Sequence, residues 1–218
     1  YGGFFTELGE YEMADVVYEK AYLVSTEALG AQDPRTTLRL QTLANNDAEL
    51  QRYELAEQRL QDAQATLVTA VGAEALPTIN VLEDLAQLYQ RQGKLRPALE
   101  PLEQSYALRT KVQGPEETQT LETKERLAEL YRQLGRLDEA EPMFLEVIAT
   151  AEQLLGIADP LVIDAKSHLA QLYENTNNFV ASLRYYQEVY EIDQQILGDA
   201  HPNTAGDLNN LAGIYRRL

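Results

Sequence analysis

The 218-residue chain has no cysteine, only two histidines and no long apolar run. Without cysteine it has no disulfides, no thiolate chemistry and no cysteine-ligated zinc, and the compartment stays open, with the cytoplasm favoured. No segment approaches the roughly 18 apolar residues that a membrane-spanning helix needs, and no basic segment followed by an apolar core begins the chain. We therefore expect no membrane partner.

Basic residues are also scarce, with 18 lysines and arginines against 35 acidic residues and a net charge of −17. Nucleic-acid binding draws its affinity from basic side chains on phosphates, so this balance argues against it. Half of the basic residues lie in residues 85–136, which carry 9 basic and 7 acidic groups. Residues 1–84 carry 5 basic and 15 acidic groups, and residues 137–218 carry 4 basic and 13 acidic groups.

The sequence repeats with a period of 42 residues. A pentapeptide that begins with leucine recurs at this step, at Leu43, Leu85, Leu127, Leu169 and Leu211. Glycine keeps the same step, at Gly30, Gly72, Gly114, Gly156 and Gly198. The pattern predicts one array over residues 1–218, with repeats that start near 1, 43, 85, 127, 169 and 211, the first and last incomplete.

The chain opens with "YGGFF", whose first four residues match the enkephalin opioid peptides. Tyr1 lies one period before Leu43, and Phe5 then takes the place of Tyr89. We interpret the segment as the start of a degenerate repeat rather than as a peptide signal.

The pattern within each 42-residue repeat predicts two helices, called the first and the second helix of the repeat. In "LAELYRQLGRLDEAEPMF", Leu127, Leu130, Tyr131 and Leu134 share one helix face, and Gly135 is suited to end that helix at positive φ. A second helix follows as far as Gly156. Pro97, Pro101 and Pro142 are expected in or near the first turn of second helices, and Pro34, Pro160 and Pro202 in the links between repeats.

The "LAELYRQLGRLDEAEPMF" segment resembles the tetratricopeptide repeat (TPR), and the 42-residue period and "GDAHPNTAGDLNNLAGIY" resemble its kinesin light chain type. The resemblance implies an all-α fold, a right-handed superhelical solenoid of about eleven helices in antiparallel pairs. Small residues after each marker leucine should allow close helix approach, at Ala86, Ala128, Ala170 and Ala212. In the second repeat Asp47 replaces the tyrosine and Gln51 the turn glycine, so we expect a less regular hairpin there. The chain also ends after a first helix, so an apolar stripe is expected to be exposed on it, formed by Leu208, Leu211, Ile214 and Tyr215.

No constellation points to catalysis or to a cofactor. Ser167, His168 and Asp164 lie close in sequence on one predicted helix, but neighbouring residues on a helix point in different directions. His201 lies in a link without further ligands at metal spacing, and a helix-start role is the simpler interpretation. We expect no enzyme activity, no metal and no cofactor.

In TPR arrays the first helices line the inner, concave surface, which receives a protein or peptide partner. The resemblance places ten candidate contacts there: Asn80, Gln87, Arg91, Arg126, Arg132, Gln133, His168, Gln171, Asn175 and Asn210. Side-chain amides suit peptide backbone, and arginines suit acidic side chains. The expected ligand is therefore an extended segment whose acidic side chains meet the arginines. The alternative for the arginines is neutralisation within a helix, by Glu122 for Arg126 and Glu129 for Arg132.

Two other roles stay open. The array could be a regulatory segment of a larger enzyme or signalling protein that binds its own chain, or a self-association module that uses its terminal helices.

Overall fold

The computed structural model describes residues 2–218, with the backbone alone described for Phe4, Phe5 and Glu7. The predicted repeat positions of Tyr1 and of the Phe5 side chain lie outside the described residues. Eleven α-helices and no strand occur within the described range: α1 (Gly2–Glu7), α2 (Tyr11–Leu29), α3 (Pro34–Glu49), α4 (Tyr53–Val71), α5 (Leu76–Arg91), α6 (Leu95–Val112), α7 (Thr118–Gln133), α8 (Leu137–Leu154), α9 (Pro160–Asn175), α10 (Phe179–Leu197) and α11 (Pro202–Tyr215).

The helices divide into two compact units, unit 1 from Tyr1 to Gln113 and unit 2 from Gly114 to Leu218. Within each unit, successive helices are joined by links of three to five residues and pack against each other. Such short links make neighbouring helices antiparallel. The prediction of one array over the whole chain stays a prediction. Among the described residues, no helix combines the length and apolarity that crossing a bilayer requires.

The marker leucines and the small residues after them form the contact between helices. Leu43, Leu85, Leu127, Leu169 and Leu211 are all at most 7% exposed. The alanines that follow the first four are fully buried, at Ala44, Ala86, Ala128 and Ala170. Ala212 is exposed, contrary to the expectation of close packing there, because the part of α11 that faces α10 runs through its neighbours Leu211 and Ile214.

The links inside each helix pair turn at a residue with positive φ. Gly93 and Gly135 adopt φ of 71° and 76°, and Asn177 and Gln51 adopt 58° and 59°. The expectation of a less regular second hairpin is wrong. Gln51 N donates to Ala48 O and Arg52 N donates to Asp47 O at 3.1 and 2.8 Å, which matches the 2.9 Å bonds of the Gly93 turn. Glutamine carries the strain of the left-handed conformation that glycine avoids.

Prolines both begin helices and lie inside them. Pro34, Pro160 and Pro202 are the first residues of α3, α9 and α11, where the missing N–H has no helical partner to lose. Pro101 and Pro142 lie deeper than expected, in the second turns of α6 and α8 and within continuous helices.

The final helix is only half exposed along its apolar stripe. Leu208 and Tyr215 are 47% and 57% exposed, as expected. Leu211 and Ile214 are buried in a cluster with Ala170 of α9 and Tyr186 of α10, so the expectation is wrong for these two side chains. Packing against the preceding pair is enough to cover them.

Candidate peptide-binding faces

Unit 1 contains a cleft of about 250 Å³ between α3 and α5. Ala48 and Leu88 contribute buried apolar surface to it. Its polar rim consists of Asn45 and Glu49 on α3 and of Asp84, Gln87 and Arg91 on α5. On α5 these three positions are three to four residues apart, so they share one helix face. The cleft therefore presents amide, carboxylate and guanidinium groups side by side.

Two polar links cross this cleft from α3 to α5. Arg91 Nη1 lies 2.7 Å from Glu49 Oε2. Asp84 Oδ2 accepts from Gln41 Nε2 at 2.6 Å and from Asn45 Nδ2 at 3.1 Å. Arg91 is therefore already paired before any ligand arrives.

Gln87 differs from its neighbours in the cleft. Its side chain is exposed and forms no side-chain hydrogen bond with the part of the chain that the structure describes. A primary amide offers two N–H donors and a carbonyl acceptor, which is what a peptide backbone requires. Gln87 is the candidate residue in this cleft whose hydrogen-bonding groups are available.

Asn80 lies on α5 outside the residues that line the cleft. Its Oδ1 accepts from Arg109 Nη2 of α6 at 2.7 Å. Arg109 is 4% exposed and also pairs with Glu83 at 2.6 Å. Asn80 thus belongs to a polar cluster that joins α5 to α6.

In unit 2, Arg132 and Gln133 both bind Glu129 on the same helix, α7. Arg132 Nε and Nη2 donate to the two carboxylate oxygens at 2.6 and 2.7 Å, and Gln133 Nε2 donates to Oε1 at 2.7 Å. Burial, the largest single effect, raises the pKa of Glu129, but the hydrogen bonds from Arg132 and Gln133 and the charges of His168 and Arg132 together outweigh it, and the pKa is lowered. The alternative expectation of neutralisation within the helix describes Arg132 correctly.

Arg126 lines a cleft of about 450 Å³ between α7 and α9. Most of the other polar residues around this cleft are acidic: Glu122, Glu125, Asp159 and Asp164. The surroundings of Arg126 therefore oppose a purely acidic ligand in unit 2.

His168 on α9 is held by a carboxylate from the preceding first helix. His168 Nδ1 lies 2.6 Å from Glu125 Oε1 of α7, and Glu125 is buried. Burial would lower the pKa of His168, but the hydrogen bond and charge of Glu125 outweigh it and raise the pKa. The imidazole of His168 is thus engaged across the interface between α7 and α9.

The remaining candidates lie on α9 and α11. Gln171 is half-buried, and Asn175 and Asn210 are exposed. His201 serves as the N-cap of α11, where its Nδ1 accepts from Asn203 N at 3.2 Å. This is the helix-start role that the sequence indicated.

Sequence reasoning missed the polar contacts between equivalent positions of successive repeats. Such pairs are separated by 42 or 43 residues: Glu49 with Arg91, Glu125 with His168, and Glu174 with Arg217 at 3.2 Å. Opposite charges one period apart are visible in the sequence and could have indicated these pairs. Searching only three to four residues along each helix overlooked them.

Comparison with known proteins agrees with this architecture. The family model for the tetratricopeptide repeat matches residues 38–111, 117–195 and 161–218. The chain belongs to the tetratricopeptide repeat family. A search of curated protein sequences gives no match.

Solved structures share the fold at low sequence identity. The crystal structure of a putative kinesin light chain from Podosopora anserina, with nearly identical TPR-like repeats, superposes with a TM-score of 0.77 at 21% identity and covers 89% of this chain and 92% of its own. The crystal structure of BtubC (BKLC) from P. vanneervenii superposes with a TM-score of 0.82 at 19% identity and covers 95% of this chain and 84% of its own. The crystal structure of MamA superposes with a TM-score of 0.60 at 16% identity and covers 89% of this chain and 95% of its own. The repeats thus have the fold seen in kinesin light chain-like TPR proteins, and the predicted all-α TPR fold is confirmed.

Proposed function

We propose that this chain is a protein-interaction module that binds an extended segment of a partner protein on the exposed faces of its first helices. TPR repeats are in general non-catalytic scaffolds for protein interaction, and the family assignment supports this class of function. The observation that carries the proposal is the unit 1 cleft, where the unbonded amide of Gln87 lies between apolar surface and charged groups.

The contacts that we propose are made chiefly to the partner's backbone. Gln87 supplies donors and an acceptor in unit 1, and Gln171 and Asn175 supply the same chemistry on α9 of unit 2, with Asn210 on α11. An extended peptide presents N–H and C=O groups along its length, and amide side chains satisfy both.

We propose a smaller role for acidic side chains of the partner than the arginine count suggests. An acidic ligand at Arg91 competes with Glu49, and one at Arg132 competes with Glu129. Exchanging one carboxylate for another leaves each arginine with a single partner, so the net gain per pair is below about 1 kcal/mol.

Partner capture followed by mapping tests the proposal. The full chain is used to capture binding proteins, and overlapping peptides from each captured protein are arrayed to find the bound segment. Amide NMR shifts on titration with that peptide should be largest in α3 and α5 or in α7 and α9. Shifts confined to the outer faces of α4, α8 or α10 would contradict the proposed faces.

A further inference from the structure

The packing of α11 on α10 in unit 2 buries two carboxyl groups next to each other. Asp193 on α10 is 5% exposed, and Asp207 on α11 is 8% exposed. Oδ2 of Asp207 is buried without a hydrogen-bond partner in the described part of the chain. An ionised carboxylate only accepts hydrogen bonds, so Asp207 can bond to a neighbouring carboxyl only when one of the two holds a proton.

The other repeats show that this pair is not needed for the fold. Asp193 and Asp207 occupy positions that are held by Leu67 and Val81 in unit 1. They are held by Ala151 and Ala165 one repeat earlier in unit 2, and all four of these side chains are fully buried. The same helix contact is thus made by apolar residues elsewhere. Two carboxyls at this contact cost stability unless they are protonated.

The charged groups around the pair do not neutralise it. The pKa of Asp164 on α9 is raised by burial, then by the charge of Glu125 and, to a smaller extent, by the charge of Asp193. His168 counters Asp164 in part but is bonded to Glu125. Within the described residues, no lysine, arginine or histidine forms an ion pair with Asp193 or Asp207.

The cations of the neighbouring helices are engaged elsewhere. Lys166 of α9 pairs with Glu152 and Glu188 at 2.7 and 2.9 Å. Arg217, which follows α11, pairs with Glu174 of α9 at 3.2 Å. On α11 itself, His201 lies at the N-cap, six residues before Asp207.

This environment sets the pH range in which Asp207 titrates. Burial, followed by the charge and hydrogen bond of Asp193, raises the pKa of Asp207 from 3.8 to about 6. A raised pKa in the folded state means that the folded chain holds the proton more tightly than the unfolded chain. The resulting stability is fully present below pH 3.8 and is lost as the pH rises through about 6.

We propose that the buried Asp193 and Asp207 form a pH-dependent latch, which holds α11 on α10 while Asp207 is protonated and lets α11 open more often once Asp207 is ionised. The latch does not rest on the proposed peptide contacts at Gln87, Gln171 and Asn175, although α11 also carries Asn210. It concerns how firmly α11, the last helix of unit 2, is docked.

Hydrogen exchange on the full chain tests the latch. The opening equilibrium of amides in α11, corrected for the intrinsic exchange rate, is measured between pH 4 and pH 7.5, with amides of α8 as the reference within the same unit. The opening equilibrium of α11 should rise as the pH rises from 4 to 7.5. A pKa difference of about two units limits this rise to on the order of 100-fold, and the rise should be larger than any change in α8.

Two variants decide whether the pair is responsible. Asp193→Leu with Asp207→Val copies the apolar pair of unit 1 and should remove the pH dependence of α11 opening. Asp207→Asn, whose amide can donate to Asp193, should do the same with a smaller change in packing. Asp138→Asn, at an exposed aspartate on α8, should leave the pH dependence unchanged. Opening of α11 that does not vary with pH in the unmodified chain, or that varies equally in both pair variants, would overturn the latch.

Discussion

Arg91 Nη1 lies 2.7 Å from the carboxylate of Glu49, the residue at the equivalent position one repeat earlier. Within each unit, first helices of successive repeats stack so that charged residues 42 or 43 positions apart meet, as Glu125 and His168 do in unit 2. These pairs determine which charged side chains of each unit's first helices a partner can engage.

The Arg91–Glu49 pair should contribute little to stability. Its side chains are 37% and 30% exposed, so Arg91→Ala should lower the free energy of unfolding by about 0.5 kcal/mol. The double exchange Arg91→Glu with Glu49→Arg should restore most of that loss. Urea unfolding of the two variants and the unmodified chain at low salt measures both values, and a loss above about 2 kcal/mol for Arg91→Ala would show that the pair is structural.

Gln51→Gly should stabilise the chain by about 1 kcal/mol, because glycine adopts the observed φ of 59° without strain. The matched control is Gln58→Gly at an exposed position inside α4, which should destabilise by about the same amount. Chemical unfolding of both variants checks the opposite signs. Destabilisation by Gln51→Gly would mean that the side chain of Gln51 contributes a contact that outweighs the strain.

The His168–Glu125 pair should make stability depend on pH. The pKa of His168 is raised in the folded chain, so the contribution is fully present below the ordinary value of 6.5 and is lost as the pH rises through the raised value. His168→Asn should therefore destabilise unit 2 more at pH 6 than at pH 9. Thermal unfolding at both values measures the difference, and an equal loss at the two pH values would contradict the assigned charge state.

Arg109 should be among the most sensitive polar positions in unit 1. It is 4% exposed and bonds Glu83 and Asn80, so Arg109→Met leaves a carboxylate without its main cationic partner and should cost about 3 kcal/mol. Adding Glu83→Met should recover part of that loss, because no buried charge then remains. A single variant that unfolds at the same urea concentration as the unmodified chain would show that water compensates Glu83.

The sequence predicts the helix pairs well because the marker leucines and the turn residues act locally. Leu85 lies on the apolar face of its helix and is buried when that helix packs against its neighbours. Gly135 ends a helix because glycine adopts positive φ without strain. The second hairpin could not be predicted in this way. There the backbone hydrogen bonds of the turn accompany a positive φ at Gln51, and the buried carboxylate of Asp47 is paired with Arg59 and Arg52.

The candidate site was less predictable because contacts between repeats decide it. The sequence indicates that Arg91 is a cation available to a ligand. Only the structure, in which α3 lies beside α5, shows that Arg91 is already paired with Glu49. Likewise, the role of His168 depends on Glu125, which lies 43 residues earlier. Gln87 could be proposed from its position in the repeat, but its lack of a partner required the structure.

We propose that the first helices of unit 1 bind a partner's backbone through Gln87. The decisive measurement is the affinity of the Gln87→Ala variant for the bound peptide found by peptide mapping. Gln58→Ala, on α4, is the matched control, and circular dichroism checks that both variants fold. Gln87→Ala should weaken binding by about 1 kcal/mol, or roughly fivefold, and Gln58→Ala should leave it unchanged. Equal affinity of the Gln87 variant and the unmodified chain for that peptide would contradict the account.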